Sequence, residues 1–151
     1  METNNEIISD LKDILSIVND GKEGYETASD STSTIELKGI FLKYAEQRTT
    51  YAAELKAHIL THGAEAENET GGVLGALHRT WIDIKQALAS EEDSAILNAI
   101  ITGEKAAIEK YDKYIKNYVD HADHIQLLQT QRAGVQQALT EIETLLHQYS
   151  A

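Results

Sequence analysis

The chain has no cysteine and no proline in 151 residues, and only one phenylalanine, one tryptophan and one methionine. Without cysteine, disulfides, thiolate nucleophiles and sulfur-ligated zinc are all excluded. Such usage fits a reducing compartment. No run approaches the ~20 consecutive apolar residues of a membrane span. The opening METNNEIISD has neither the basic end nor the apolar run of an export signal. Positive charge is also scarce: 13 Lys and Arg stand against 25 Asp and Glu, for a formal net charge of -12 and a pI near 4.8. The basic residues are scattered. A surface of this sign repels phosphate backbones and anionic lipid, which argues against nucleic acid and membrane as partners. The expectation is a soluble, cytoplasmic protein whose acidity serves solubility, with metal cations as the ligand class it would attract.

What remains is rich in Ala, Leu, Ile, Glu, Gln and Lys, the composition of a chain that is nearly all helix. No strand-like alternation bounded by turn signals competes. A first helix is expected from about Asn4 to Ser29, with Ile7, Leu11, Ile14, Val18 and Tyr25 on one face. The cluster DSTST ends it, and Thr32 or Ser33 caps a second helix, with Glu36 placed as in a capping box. That helix turns Leu37, Tyr44, Tyr51 and Leu55 inward and stops near His62, where Gly63 suits a left-handed residue. Polar, glycine-rich residues 64–72 read as a connection, followed by a short helix over about Val73–Leu88 carrying Leu74, Leu77, Trp81 and Leu88. Two more long helices follow, about Asp93–Val119 and Ala122–Tyr149, the last with Leu128, Val135, Leu139, Ile142 and Leu146 inward.

Residues 1–151 thus form one domain, an all-α four-helix bundle of helices each about 40 Å long. The connection over residues 64–92 is long enough to return along the bundle and leave the second and third long helices parallel. That is the ferritin-like crossover, here carrying an extra short helix. An up-down bundle with the short helix lying at its side is the alternative.

The inward stripes contain three charged residues. In the segment Ile96–Tyr118, Leu97, Ile100, Ile108, Tyr111, Ile115 and Tyr118 recur at helical spacing, and Glu104 falls in the middle of them. A carboxylate there needs a cation, a metal or a proton. Arg48 lies near the centre of the second helix's stripe and Arg132 toward the edge of the fourth's, all three near the midpoints of their helices. A buried ion pair or triad of Arg48, Glu104 and Arg132 is therefore expected. The competing reading is a di-iron or di-manganese carboxylate centre, which draws a Glu from each of two helices and Glu-x-x-His pairs from the other two. The chain has no Glu-x-x-His. Glu54 with His58 and Glu143 with His147 are each four apart, and two arginines in the seam would repel a dication.

Two further groups carry weaker chemical signals. His58 and His62 are one helical turn apart, and His121 and His124 stand at the start of the fourth helix; under the crossover these ends share a pole, where imidazoles at that spacing can hold zinc, copper or nickel. Pairing with the negative end of a helix dipole, or plain exposure, is the simpler reading of such histidines. Tyr111, Tyr114 and Tyr118, with Trp81, read as core packing or as the contact of a homodimer rather than as a cofactor box. Gly71 and Gly72 belong to no phosphate loop, and no serine carries a nucleophile signature.

The run GALHRTWIDIKQAL from Gly75 to Leu88, with its Leu-His-Arg-x-Trp box, is distinctive. So are NDGKEGYETA around residue 20, YAAEL from Tyr51 and TGEKAAIEKY from Thr102. Together they resemble a family of bacterial ferritin-like bundle proteins classed as a domain of unknown function. The resemblance spans essentially the whole chain and implies the crossover topology, kinship with di-iron carboxylate proteins, and a seam of acids with a late histidine. Glu54 and Glu104 fit that pattern. Lys22, Gln47 and Leu139 stand where the pattern would place ligands, which implies a vestigial site. The functional expectation is a non-catalytic bundle with a binding or stress-associated role and no committed cofactor. Its rival is an oxidase or peroxidase holding iron or manganese through Glu26, Glu54, His58 and Glu104. Zinc held by the helix-end histidines is a third reading.

Overall fold

The computed structural model describes residues 4–63, 83–84, 86–88, 92–117 and 122–149. Four long helices account for almost all of them: α1 (Asn4–Ser31), α2 (Ile35–Thr61), α3 (Asp93–Asn117) and α4 (Ala122–Tyr149). No strand occurs among the described residues, and the fold is an all-α bundle. Of the short helix expected at Val73–Leu88, only 83–84 and 86–88 fall within the described part, and these are helical, with Ile84 and Leu88 buried. Trp81, Tyr118 and His121 lie outside it, as does the side chain of His124.

The cross-helix bonds fix the directions of the helices. Residues 32–34 alone join α1 to α2, and the two pack along their length, so they are antiparallel. Between α2 and α4, Lys43 meets Glu141 and Gln131 meets Glu54, so the pairing runs in opposite directions. The beginning of α3 lies at the α1–α2 turn, because Thr32 and Thr34 both donate their hydroxyls to Asp93, at 2.6 and 2.5 Å. The far half of α3 reaches the early part of α1, where the Tyr114 hydroxyl donates to Asp13 at 3.1 Å. Hence α2 and α3 start at the same pole and run parallel, so the end of α2 and the start of α3 lie at opposite poles. An up-down order, in which these two helices would be antiparallel, does not fit the described residues.

The same clasp alters the expected helix start. Thr34, not Ser33 or Thr32, is the N-cap of α2, and its side chain makes no capping bond. Its hydroxyl goes to Asp93 instead, while the Thr32 oxygen accepts the Thr34 backbone N–H at 3.1 Å. A hydroxyl can donate to a carboxylate and accept from an amide at once, as Thr32 does, so the clasp uses the donors and leaves the oxygens' lone pairs to the backbone. α1 continues to Ser31, two residues beyond the expected end.

Leu11, Ile14, Leu37, Phe41, Leu55, Leu97, Ile100, Leu128 and Ile142 are fully buried and form the apolar core. Tyr51 and Leu146, expected inward, are partly buried at its edge. From Ile14 to Gly21 every residue of α1 is buried, including Ser16, Asn19 and Asp20. A helix enclosed on all sides shows no single stripe, which explains why Leu15 and Ile17 escape a one-face reading.

At Gly134 the α4 backbone lies directly against α2 side chains. A Cβ built there would lie 1.7 Å from the Tyr51 hydroxyl oxygen, 3.0 Å from its ring carbon and 3.2 Å from Gln47 Nε2. Alanine at this position gains helix propensity, about 1 kcal/mol, and loses it again to the displaced tyrosine. We therefore expect Gly134→Ala to be more favourable in a Tyr51→Phe background than in the native chain, by about 1 kcal/mol, in a urea-denaturation double-mutant cycle. Equal effects in both backgrounds would show that Tyr51 does not limit the approach.

Candidate functional site: a buried polar core

Glu104 is completely buried on α3, among the buried positions Ile100, Ile101, Ala107 and Ile108 of the same helix. Its partner is Arg48 from α2, 1 % exposed. Arg48 Nη1 donates to Glu104 Oε1 at 2.8 Å and Nη2 to Oε2 at 2.5 Å, the forked geometry that matches guanidinium to carboxylate. From α1, the hydroxyl of fully buried Tyr25 donates to Oε2 at 2.7 Å. The third guanidinium nitrogen, Nε, donates to Gln47 Oε1 at 3.1 Å, and Gln47 in turn donates to the Gly134 carbonyl on α4. The Tyr25 ring lies 5.4 Å from the guanidinium carbon and packs on Phe41 and Tyr44. The two charges are thus bonded to each other and shielded from water.

The titration behaviour follows from this burial. Desolvation works against the charge on Arg48, but the adjacent Glu104 carboxylate outweighs it and holds the guanidinium above its ordinary value. Desolvation pushes the Tyr25 hydroxyl well up, and the negative charge of Glu104 pushes it further. Tyr111 is likewise raised by burial, partly opposed by Arg48. At the α2–α4 edge Glu141 accepts hydrogen bonds from Tyr44 and from Lys43, which hold its carboxyl below the usual range. Burial raises Asp13 on α1, opposed by the bond from Tyr114.

A second polar layer continues from the first. Tyr111 on α3 donates to Gln131 Oε1 at 2.8 Å, and Gln131 Nε2 donates to the Tyr51 carbonyl at 3.2 Å and to Glu54 Oε1 at 3.1 Å. Gln131 is fully buried. It sits three residues after Leu128 and four before Val135, so the inward stripe of α4 contained the signal that would have found it.

Arg132 takes no part in either layer, contrary to the expected triad. It pairs with Asp112 on the outside of α3, its Nε donating to Oδ1 at 2.5 Å, with side chains 34 % and 53 % exposed. One residue along a helix is a turn of ~100°, and Gln131 rather than Arg132 faces the core. The cation that meets Glu104 is Arg48 alone, and the third member is a tyrosine.

The residues proposed as metal ligands are not brought together. Glu26 and Glu54 are exposed, His58 is half-buried near the end of α2, and Glu104 is occupied in the interior. Among the described residues no three His, Asp or Glu side chains form a group able to hold a metal ion. A two-metal carboxylate centre needs open carboxylate lone pairs and no fixed cation beside them. Here Glu104 accepts three hydrogen bonds and faces a guanidinium, so the residues present do not fit that group. Glu143 and His147 are exposed on α4.

Fold and site together define an all-α bundle whose centre is a charge-compensated polar core. By sequence the chain belongs to the family described as Domain of unknown function (DUF2383), which matches residues 6–117. Searches among curated proteins and solved structures give no significant match. The matched stretch contains Tyr25, Arg48, Glu54, Glu104 and Tyr111 and ends with α3, whereas Gln131, Gly134 and Glu141 on α4 lie beyond it. Also among the described residues, no helix is long and apolar enough to cross a membrane.

Two predictions follow from the energetics of this core. Arg48→Ala or Glu104→Ala strands the other charge in the interior and should lower unfolding free energy by about 3–5 kcal/mol. The paired replacement Arg48→Met with Glu104→Leu should recover most of that loss, since it removes both desolvation costs; urea denaturation of the three variants reads the comparison. The raised tyrosines set an alkaline limit. Unfolded tyrosine titrates near pH ~10, and a folded value above this means that the stability is fully present below about pH 10 and lost as pH rises through the folded values. Phenolate absorbance from Tyr25 and Tyr111 should therefore appear only together with loss of helical circular dichroism. Ionisation of all seven tyrosines with the helices intact would contradict the buried assignments.

Proposed function

We propose that this protein is a ferritin-like bundle without catalysis, a single domain with a binding or stress-associated role in the cytoplasm, in which a ligand position of a metal centre is now satisfied by arginine. The observation that carries this reading is the fork of Arg48 on both oxygens of Glu104, completed by Tyr25. A carboxylate so engaged must lose its hydrogen bonds and admit a dication beside a buried guanidinium before it can ligate metal, and each step is unfavourable. The parallel course of α2 and α3 supports the ferritin-like part of the reading, because one long crossover is the connection that such folds use. Gln47 and Leu139 support the vestigial part: an amide bonded to Arg48 and a core hydrocarbon occupy positions where the family resemblance would place ligands.

The test is iron loading of protein purified without an affinity tag. Ferrous iron added anaerobically and then exposed to oxygen should oxidise no faster than iron in buffer, and no two-iron stoichiometry should develop. Uptake of two irons per chain with rapid oxidation, abolished by Glu104→Gln, would overturn the proposal in favour of an oxidase or peroxidase.

A further inference from the structure

The end of α2 holds a second arrangement that the polar core does not use. His58 and His62 stand on the same face one turn apart, with ring centres 5.1 Å from each other and ring planes inclined at 64°. A tetrahedral metal lies ~2.0–2.1 Å from each ligating imidazole nitrogen, hence about 3.2 Å from each ring centre; at about 109° between ligands the two centres fall about 5.2 Å apart. The observed separation of the ring centres matches that value. The rings are held on a fixed backbone: the Thr61 hydroxyl donates to the His58 carbonyl at 2.6 Å, and the His62 and Gly63 amides close the last turn on Ile59 and Leu60.

From this geometry we propose that His58 and His62 form a bis-histidine chelate for a divalent transition metal of the zinc, nickel or copper class. Each imidazole gives one nitrogen to the metal. A metal-ligating histidine usually has its ring oriented by a bond from the other nitrogen, which leaves one nitrogen of each imidazole for the metal. Three features of the surroundings favour a cation here. The carbonyl end of α2 carries partial negative charge, Glu54 adds a carboxylate one turn before His58, and the formal charge of the whole chain is -12. Both histidines are half-buried, with His62 Nε2 itself buried, and the coordination positions that two imidazoles leave unfilled would go to water or to a ligand of a bound partner. His58 is ten residues beyond Arg48, about 15 Å along the helix, so this site is independent of whether the core ever held iron.

Zinc titration of tag-free protein by calorimetry tests the assignment. The native chain should bind one zinc ion with a saturable isotherm. Losing one imidazole turns a chelate into a single-point contact, so His58→Ala and His62→Ala should each weaken binding by about 100-fold. His147→Ala, at the opposite pole, should leave it unchanged. Zinc should also slow hydrogen exchange of the His62 and Gly63 amides, because the chelate staples the last turn. Both alanine variants lie at a helix end, and unchanged thermal melts would show that lost binding is not lost folding. Absence of saturable zinc binding, or equal affinity in the native chain and both variants, would overturn the proposal. A failed zinc test with no iron uptake leaves the reading of the core intact, and zinc binding that depends on His58 leaves the iron test equally untouched.

Discussion

The ion pair between Arg48 and Glu104 is the constraint on which the bundle's register depends. Apolar side chains on long helices tolerate sliding, since one leucine replaces another a turn away. A buried guanidinium and carboxylate do not. A slip by one turn, ~5.4 Å, would separate the charges and leave each without a partner in a medium where that costs several kcal/mol. Tyr25 extends the constraint to α1 through its bond to Glu104, and Gln47 extends it to α4 through the Gly134 carbonyl. All four helices are thus indexed to one carboxylate. Such a pair adds little net stability over an apolar core of equal volume; what it supplies here is the penalty for every other alignment.

The clasp at the α1–α2 turn has the same logic at the surface. Because α2 and α3 are parallel, no short loop joins them, and the start of α3 must be tied to the turn by side chains. Asp93 does so by accepting from Thr32 and Thr34 together. The carboxylate also lies in the first turn of α3, where the helix dipole favours negative charge. One residue therefore starts a helix and closes the pole.

Much of this was legible in the order of residues. Glu104 and Arg48 announce themselves as charges inside apolar stripes, and the long connection over residues 64–92 anticipates the parallel pair. What escaped has a common physical cause: periodicity shows which way a side chain points, but not what it finds there. Arg132 lies one position, ~100°, from the true core residue Gln131, which the Leu128–Val135 spacing places inside the stripe; a neutral amide there does not stand out as a charge does. Tyr25 reads as an apolar ring, although its hydroxyl completes the carboxylate's bonds. Thr34 was invisible as the cap because its partner, Asp93, is 59 residues away. The bonds that tie this turn to α3 are long-range, and no local pattern encodes them.

Gln47 shows why the core is stable as an arginine site rather than one step from a metal site. A guanidinium buried beside one carboxylate still presents Nε–H, and an unsatisfied charged donor there would be costly. The amide oxygen of Gln47 accepts that proton without bringing a second negative charge, and its NH₂ group is used on the Gly134 carbonyl. A glutamate at this position would give the layer two carboxylates for one arginine, the imbalance that invites a cation or raises a carboxyl pKa. A hydrocarbon would strand Nε. The neutral amide gives Nε a partner and leaves the charge of the layer balanced. Building a metal centre at this layer would therefore require changing Arg48, Gln47 and their contact across Gly134 together, because changing Arg48 alone leaves Glu104 uncompensated in the interior.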